Sequence, residues 1–237
     1  MKKAVSLFLT IILILSLGIQ TFAESYEDGL DDVFVTEQMV ARDRAEVQKM
    51  AEDGQAKINM YRLRRSPTQK QLSVPHLYQD DGAWANKDFP CGHDTYGNAG
   101  CAATSYAMVA RRYGYSKETP VTFAEKYQEK NRVCICNQTA DGAARVMGRG
   151  TPTTGGSIHE PEEIYNICVS AIDSGRPVVI RTNAFYGSHY VVAYGYYITT
   201  SGNITIYIRD PEGDYDASSL GQYFNNNYYV RSYAIFR

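Results

Sequence analysis

A chain of 237 residues with a formal net charge of −2 has no basic excess, so nucleic acid is not an expected partner. Its hydrophobic fraction of 44% is that of an ordinary globular protein. The length suits one domain with additional segments.

The additional segments begin at residue 1. Met1-Lys2-Lys3 gives a positive start, an apolar run follows from Ala4 through Leu17, and Thr21-Phe22-Ala23 offers the small residues that a signal peptidase reads. Residues 1–23 therefore read as a secretory signal peptide. The alternative, an uncleaved membrane anchor, fits less well, because the apolar run is short for a span and a cleavage-like site follows it. No later apolar run is long enough to cross a bilayer. The mature protein is expected to be exported, soluble and bacterial, with no membrane partner after cleavage. Asn137-Gln138-Thr139 and Asn203-Ile204-Thr205 match glycosylation acceptors, a pattern frequent by chance.

Residues 24–71 are rich in Asp, Glu, Lys and Arg. From Thr36 to about Tyr61 they can form a helix with a sparse apolar stripe of Met39, Val40, Val47, Met50 and Ile58. Such a stripe builds no core alone; it docks on another surface or stays disordered. Arg62 to Arg65, followed by Ser66-Pro67, reads as an exposed hinge open to proteases. Two readings stand side by side: an intramolecular pro-segment that covers an active site, and a solvated spacer.

From Leu72 onward aromatics, glycines and all five cysteines appear. Ala102 to Tyr113 reads as a helix closed by Gly114. Thr122-Phe-Ala-Glu125 reads as a capping box that opens a second helix, to about Asn131. Pro161 opens a third, with Ile164, Ile167, Cys168 and Ile172 at helical spacing and Gly175 at its end. The pattern then changes to strands: Pro177 to Arg181, His189 to Thr199, and Ile204 to Arg209, with Ser201-Gly202-Asn203 as the hairpin turn, and a last strand from Tyr228 to Phe236. Helices first and antiparallel strands second predict an α+β domain over residues 72–237.

Five cysteines in an exported chain leave one over. Cys91, Cys134, Cys136 and Cys168 can form two disulfides, leaving Cys101. Cys91, His93, Cys134 and Cys136 can instead hold zinc, although Cys-x-Cys and Cys-x-His are unusual ligand spacings. Free thiols are a third possibility.

Cys101 stands at a helix N-terminus, where the helix dipole favours a thiolate and the backbone N–H of Cys101 can donate to an oxyanion. Gln79, upstream, can supply a second donor. Of His76, His93, His159 and His189, only His189 begins a strand, a rigid place for a catalytic ring. A hairpin sets the start of one strand beside the end of its partner, which pairs His189 with Asp210. Taken singly these signals are bland. A cysteine before a helix is more often a small buried residue, a lone strand histidine is more often structural, and Asp-Pro more often just starts a turn. Their order, Gln, Cys on a helix, His on a strand, then Asp, is more telling.

Three stretches carry a resemblance: VPHLYQDDGAW with Gln79 and Trp84, AGCAATSYAMVARRYG with Cys101, and GSHYVVAYGYYITTSGNITIYIRDPEG with His189 and Asp210. They resemble the papain-like cysteine peptidases, and more closely the C39-like peptidase family, a stand-alone relative of the double-glycine leader peptidases. The resemblance implies a papain-like fold and a secreted cysteine peptidase acting on a peptide or protein substrate without a cofactor. By resemblance Cys101 is the nucleophile, His189 the general base and acid, Asp210 the orienting group and Gln79 the oxyanion donor. The chain departs from the leader peptidases in the longer interval between Gln79 and Cys101, which carries Cys91 and His93, and no transporter or ATPase segment is attached. Cys134 to Gly156, with Cys-Ile-Cys and a glycine-rich loop, matches none of the motifs. The same fold could serve an amidase on cell-wall peptides or a transfer to an amine. It could also serve as a surface binding module that uses Tyr223, Tyr228, Tyr229 and Tyr233 as a face. In Asp210-Pro-Glu-Gly-Asp214-Tyr-Asp216, three acidic residues at alternate spacing form an incomplete calcium pattern.

Overall fold

The computed structural model describes residues 37–63, 67–184, 188–212 and 218–237. The expected signal peptide, residues 24–36, Arg64 to Ser66 of the expected hinge, Gly187, and Asp214 and Asp216 of the calcium pattern lie outside the described residues, as do the side chains of Met39 and Val40. Two compact units divide the chain, Met1–Val40 and Ala41–Arg237. Of the first, only the start of a helix is described.

That helix, α1 (Glu37–Leu63), is mostly polar, yet Met50 and Ile58 are buried in the core. Between them lies Gly54. A Cβ on Gly54 would collide with the backbone carbonyl of Asn166, which belongs to α6 (Pro161–Asp173). The two helices can come this close because Gly54 carries no side chain at the point of crossing. Asn166 donates to Gln55 Oε1 at 2.9 Å, Lys57 Nζ lies 3.3 Å from Asp173, and the Tyr61 hydroxyl donates to Asp173 at 3.2 Å.

Helix α3 (Cys101–Arg112) follows the single turn α2 (Tyr96–Ala99). Ala102 to Ala110 of α3 are all buried, and most are small, which lets the helix sit close to the sheet. Arg111 and Arg112 occupy its last turn, where they complement the dipole, and Gly114 follows at φ +102° as a left-handed stop. Helix α4 (Pro120–Asn131) begins earlier than its expected box. Thr119 is the N-cap, Pro120 takes the first position, and Thr122 closes the box from the third. A 3₁₀ turn (Ile135–Asn137) and α5 (Ala140–Val146) come next. Helix α6 starts at Pro161 and stops before Gly175 at φ +78°. Helix α7 (Leu220–Asn225) is opened by a box between Ser219 and Gln222.

Six strands form one antiparallel sheet: β1 (Thr68–Gln71), β2 (Thr153–Gly155), β3 (Val178–Thr182), β4 (His189–Ile198), β5 (Ile204–Arg209) and β6 (Val230–Ile235). β4 is the axis. One edge pairs with β5 along Val192 to Ile198; the other pairs first with β3, from His189 to Ala193, then with β1, from Gly195 to Ile198. β6 and β2 continue the sheet beyond β3. Consecutive residues of β4 are buried, so both of its faces are covered, as in a sheet packed on two sides. β1 and β2 add two strands ahead of the expected set, and the fold is α+β.

Gly54→Ala tests the seating of α1. In an exposed helix this change stabilises by about 1 kcal/mol. Here the added methyl meets the Asn166 backbone, so the variant is expected to be less stable than wild type by about 1–3 kcal/mol in urea unfolding.

Candidate active site

Gly100 is the N-cap of α3, and a Cβ there would collide with the Tyr96 carbonyl. This close approach delivers Cys101 to the first position of the helix. Its N–H stands where no intrahelical carbonyl can take it. Its side chain is half-buried and lines a cleft of about 590 Å³ together with Gln79, His189 and Glu212.

His189, the first residue of β4, is buried, and its Nε2 lies 2.7 Å from Asp210 Oδ1. Val192 pairs with Arg209 near the open end of the hairpin, so Asp210 follows directly beside the start of β4. The other ring nitrogen remains for Cys101, with which His189 also shares a side-chain hydrogen bond. Burial opposes charge on the ring. The hydrogen bonds to Asp210 and Cys101, and the charges of both, outweigh it, and the His189 pKa is pushed up to about 9. An imidazolium is thus favoured well above its ordinary range.

Asp210 is only 1% exposed, and its carboxylate is fully engaged. Oδ1 also accepts from the Glu212 N–H at 3.0 Å, and Oδ2 accepts from the Tyr223 hydroxyl at 2.5 Å. The Tyr223 ring lies parallel to His189, with centroids 6.2 Å apart and an interplanar angle of 13°. Tyr223 sits on α7, 13 residues after Asp210. The alternative of a binding module puts it on a surface face; instead it is buried beside the imidazole. Tyr233 is also buried, while Tyr228 and Tyr229 are partly exposed. The Ser219-Leu-Gly-Gln222 capping box was a sequence signal for α7, and hence for where Tyr223 would fall.

The loop from Val74 to Trp84 is stitched to the same place. The Gln79 N–H donates to the Pro211 carbonyl at 2.8 Å, a ring nitrogen of His76 lies 2.5 Å from the Asp210 carbonyl, and Arg209 Nε donates to the Val74 carbonyl at 3.3 Å. Trp84 anchors the loop by donating to the Tyr78 carbonyl at 2.8 Å. Gln79 Nε2 donates at 2.9 Å to the Gly97 carbonyl and at 2.9 Å to a Glu212 carboxylate oxygen. A negatively charged oxygen thus sits on this amide at the cleft. Glu212 and His76 were not singled out from the sequence.

Three of the four expected site residues, Gln79, Cys101 and His189, therefore line one cleft, and the fourth, Asp210, is buried against His189. The remaining histidines are elsewhere: His93 is exposed on a separate loop, and His159 stacks on Tyr229 at 4.4 Å. Among the sulfurs, Cys91 and Cys134 form the one disulfide found among the described residues. Of the alternatives, a second bridge is not formed among the described residues: Cys168 lies buried on α6, where burial raises its thiol pKa far above the usual value, and Cys136 is exposed. Of the calcium pattern, Asp210 is described, and its carboxylate is taken by His189, Glu212 and Tyr223.

Tyr223→Phe removes one donor from a buried carboxylate. It is expected to lower stability by about 1–3 kcal/mol, read by chemical denaturation, with near-native secondary structure.

No curated relative matches the chain. A family model described as the Peptidase_C39 like family matches residues 71–236, and membership of that family supports a peptidase, a hydrolase in the general sense. The match covers five of the six strands, the cleft and all four expected site residues, and the helix-and-antiparallel-sheet architecture agrees with a papain-like α+β fold: the chain belongs to the peptidase C39-like family.

Proposed function

We propose that the protein is an exported cysteine peptidase that hydrolyses peptide bonds through Cys101, His189 and Asp210. The observation that carries this reading is a buried imidazole held between a carboxylate and a thiol, His189 with Asp210 at 2.7 Å and with Cys101 on its other side, at the wall of a cleft. The raised His189 pKa favours proton transfer from the thiol to the ring, giving a thiolate–imidazolium pair. Export is supported by residues 1–23 alone.

The thiolate attacks the carbonyl carbon of the substrate. The oxyanion that forms accepts from the Cys101 N–H and from the Gln79 amide, once the Glu212 carboxylate yields its place on Nε2. The His189 imidazolium gives its proton to the departing amine, and a thioester remains on Cys101. Neutral His189 then takes a proton from water, which attacks the thioester. The acid leaves and the thiolate is restored. Asp210 keeps the ring in one orientation and stabilises its charge throughout, and Tyr223 and the Glu212 N–H hold Asp210.

Cys101→Ala is expected to abolish cleavage of casein and of fluorogenic peptide mixtures. Gln79→Ala is expected to reduce kcat/KM by about a hundredfold, with circular dichroism checking that the fold is retained. Undiminished cleavage by Cys101→Ala would reject the reading. Release of amino groups from wall peptides, with casein left intact, would instead mark an amidase on the same machinery.

A further inference from the structure

Two loops that line the cleft bring four metal-ligating side chains to one point. In the first, Gly92 adopts φ +68°, a left-handed conformation that turns the chain between Cys91 and His93. The Phe89 N–H donates to the Asp94 carbonyl and the Gly92 N–H to the Phe89 carbonyl, both at 2.8 Å, which closes this loop. In the second, the 3₁₀ turn after Cys134 brings Cys136 back beside it, and the Cys136 N–H donates to Cys134 Sγ at 3.5 Å. An amide that points at a cysteine sulfur stabilises negative charge there.

Cys91 Sγ, Cys136 Sγ and a ring nitrogen of His93 all lie within 4.8 Å of one another, and Cys134 Sγ is bonded to Cys91 Sγ. A disulfide needs two of these groups. It gives no reason for a third sulfur and an imidazole to converge on the same spot. Cys136 and His93 are exposed, so apolar packing does not hold them there either. Tetrahedral zinc does give a reason: two thiolates each about 2.3 Å from the ion stand about 3.8 Å apart. The separation of Cys91 and Cys136 Sγ is 3.7 Å.

We propose that, once the Cys91–Cys134 disulfide is reduced, Cys91, His93, Cys134 and Cys136 bind one zinc ion as a three-sulfur, one-nitrogen site. With a phosphine as reductant, the disulfide accepts two electrons, water supplies the oxygen of the phosphine oxide, and its two protons end on the new thiols. Zinc then displaces one proton from each of the three thiols to solvent. The ion ties the Phe89–Thr95 loop to the Cys134–Asn137 turn. Phe89, Ile135 and Cys136 line the cleft beside Cys101, so the site braces one wall of that cleft.

The test uses the whole chain, reduced with a phosphine and titrated with Zn²⁺ against a chromophoric chelator, with Co²⁺ as a spectroscopic stand-in. No turnover is read, so the outcome is separate from the peptidase reading. One equivalent of Zn²⁺ is expected, with tetrahedral thiolate bands for Co²⁺. His93→Ala and Cys136→Ser are each expected to weaken binding by roughly a hundredfold or more, while Cys101→Ser binds as wild type. Less than one equivalent in the fully reduced chain would overturn the proposal, as would binding undiminished in both ligand variants.

Discussion

The buried carboxylate of Asp210 is the constraint on which the site depends. A charge taken out of water is costly unless it is met by a counter-charge and hydrogen bonds. Asp210 is met on every side: by the imidazole of His189, by the hydroxyl of Tyr223 and by the N–H of Glu212. Each partner comes from a different part of the chain. The carboxylate therefore couples the start of β4, the short helix α7 and the turn after β5. Its own backbone carbonyl adds a contact to His76, and the neighbouring Pro211 carbonyl takes the Gln79 N–H, which brings in the loop that carries the amide.

Around that hub, each element has a positional task. The hairpin of β4 and β5 sets the distance between His189 and Asp210. The small residues of α3 let the helix lie against β4, where Ser105 Oγ donates to the Tyr190 carbonyl at 3.1 Å and Tyr106 packs near Tyr190. Gly100 lets the chain pass the Tyr96 carbonyl and deliver Cys101 at the head of that helix. Tyr223, buried and with its ring parallel to the imidazole, holds the second oxygen of the same carboxylate. These are rigid supports, and a thiol beside them differs physically from Cys168, whose apolar burial raises its pKa and leaves it inert.

Much of this was legible in the sequence because local chemistry and tertiary structure agreed. Gly114 and Gly175 end their helices at positive φ, Pro161 opens one, and the Ser201-Gly202-Asn203 turn joins a hairpin whose ends meet at His189 and Asp210. What escaped had weak local signal. β1 is Thr-Gln-Lys-Gln, with no apolar alternation, and becomes a strand only because the far end of β4 has an edge to offer. β2, Thr-Thr-Gly, is a strand only against β6. The start of α4 moved because Thr119 and Pro120 together outcompete Thr122 as a cap. Tyr223 was one tyrosine among 20, and nothing in its neighbours told of an aspartate 13 residues away. The seating of α1 rests on a missing side chain, Gly54, which no apolar periodicity reports.

The most direct test of the central claim is the rate of iodoacetamide alkylation of Cys101 against pH, followed by mass spectrometry in wild type and in His189→Ala. A His189 pKa pushed up to about 9 keeps the ring protonated through neutral pH, so a positive charge faces the Cys101 sulfur. The account predicts fast labelling of wild type that persists at about pH 5 to 6, where an ordinary thiol is protonated, and is lost in the variant. Labelling that rises only around the ordinary thiol pKa of about 8.5, and that is the same in both proteins, would contradict it.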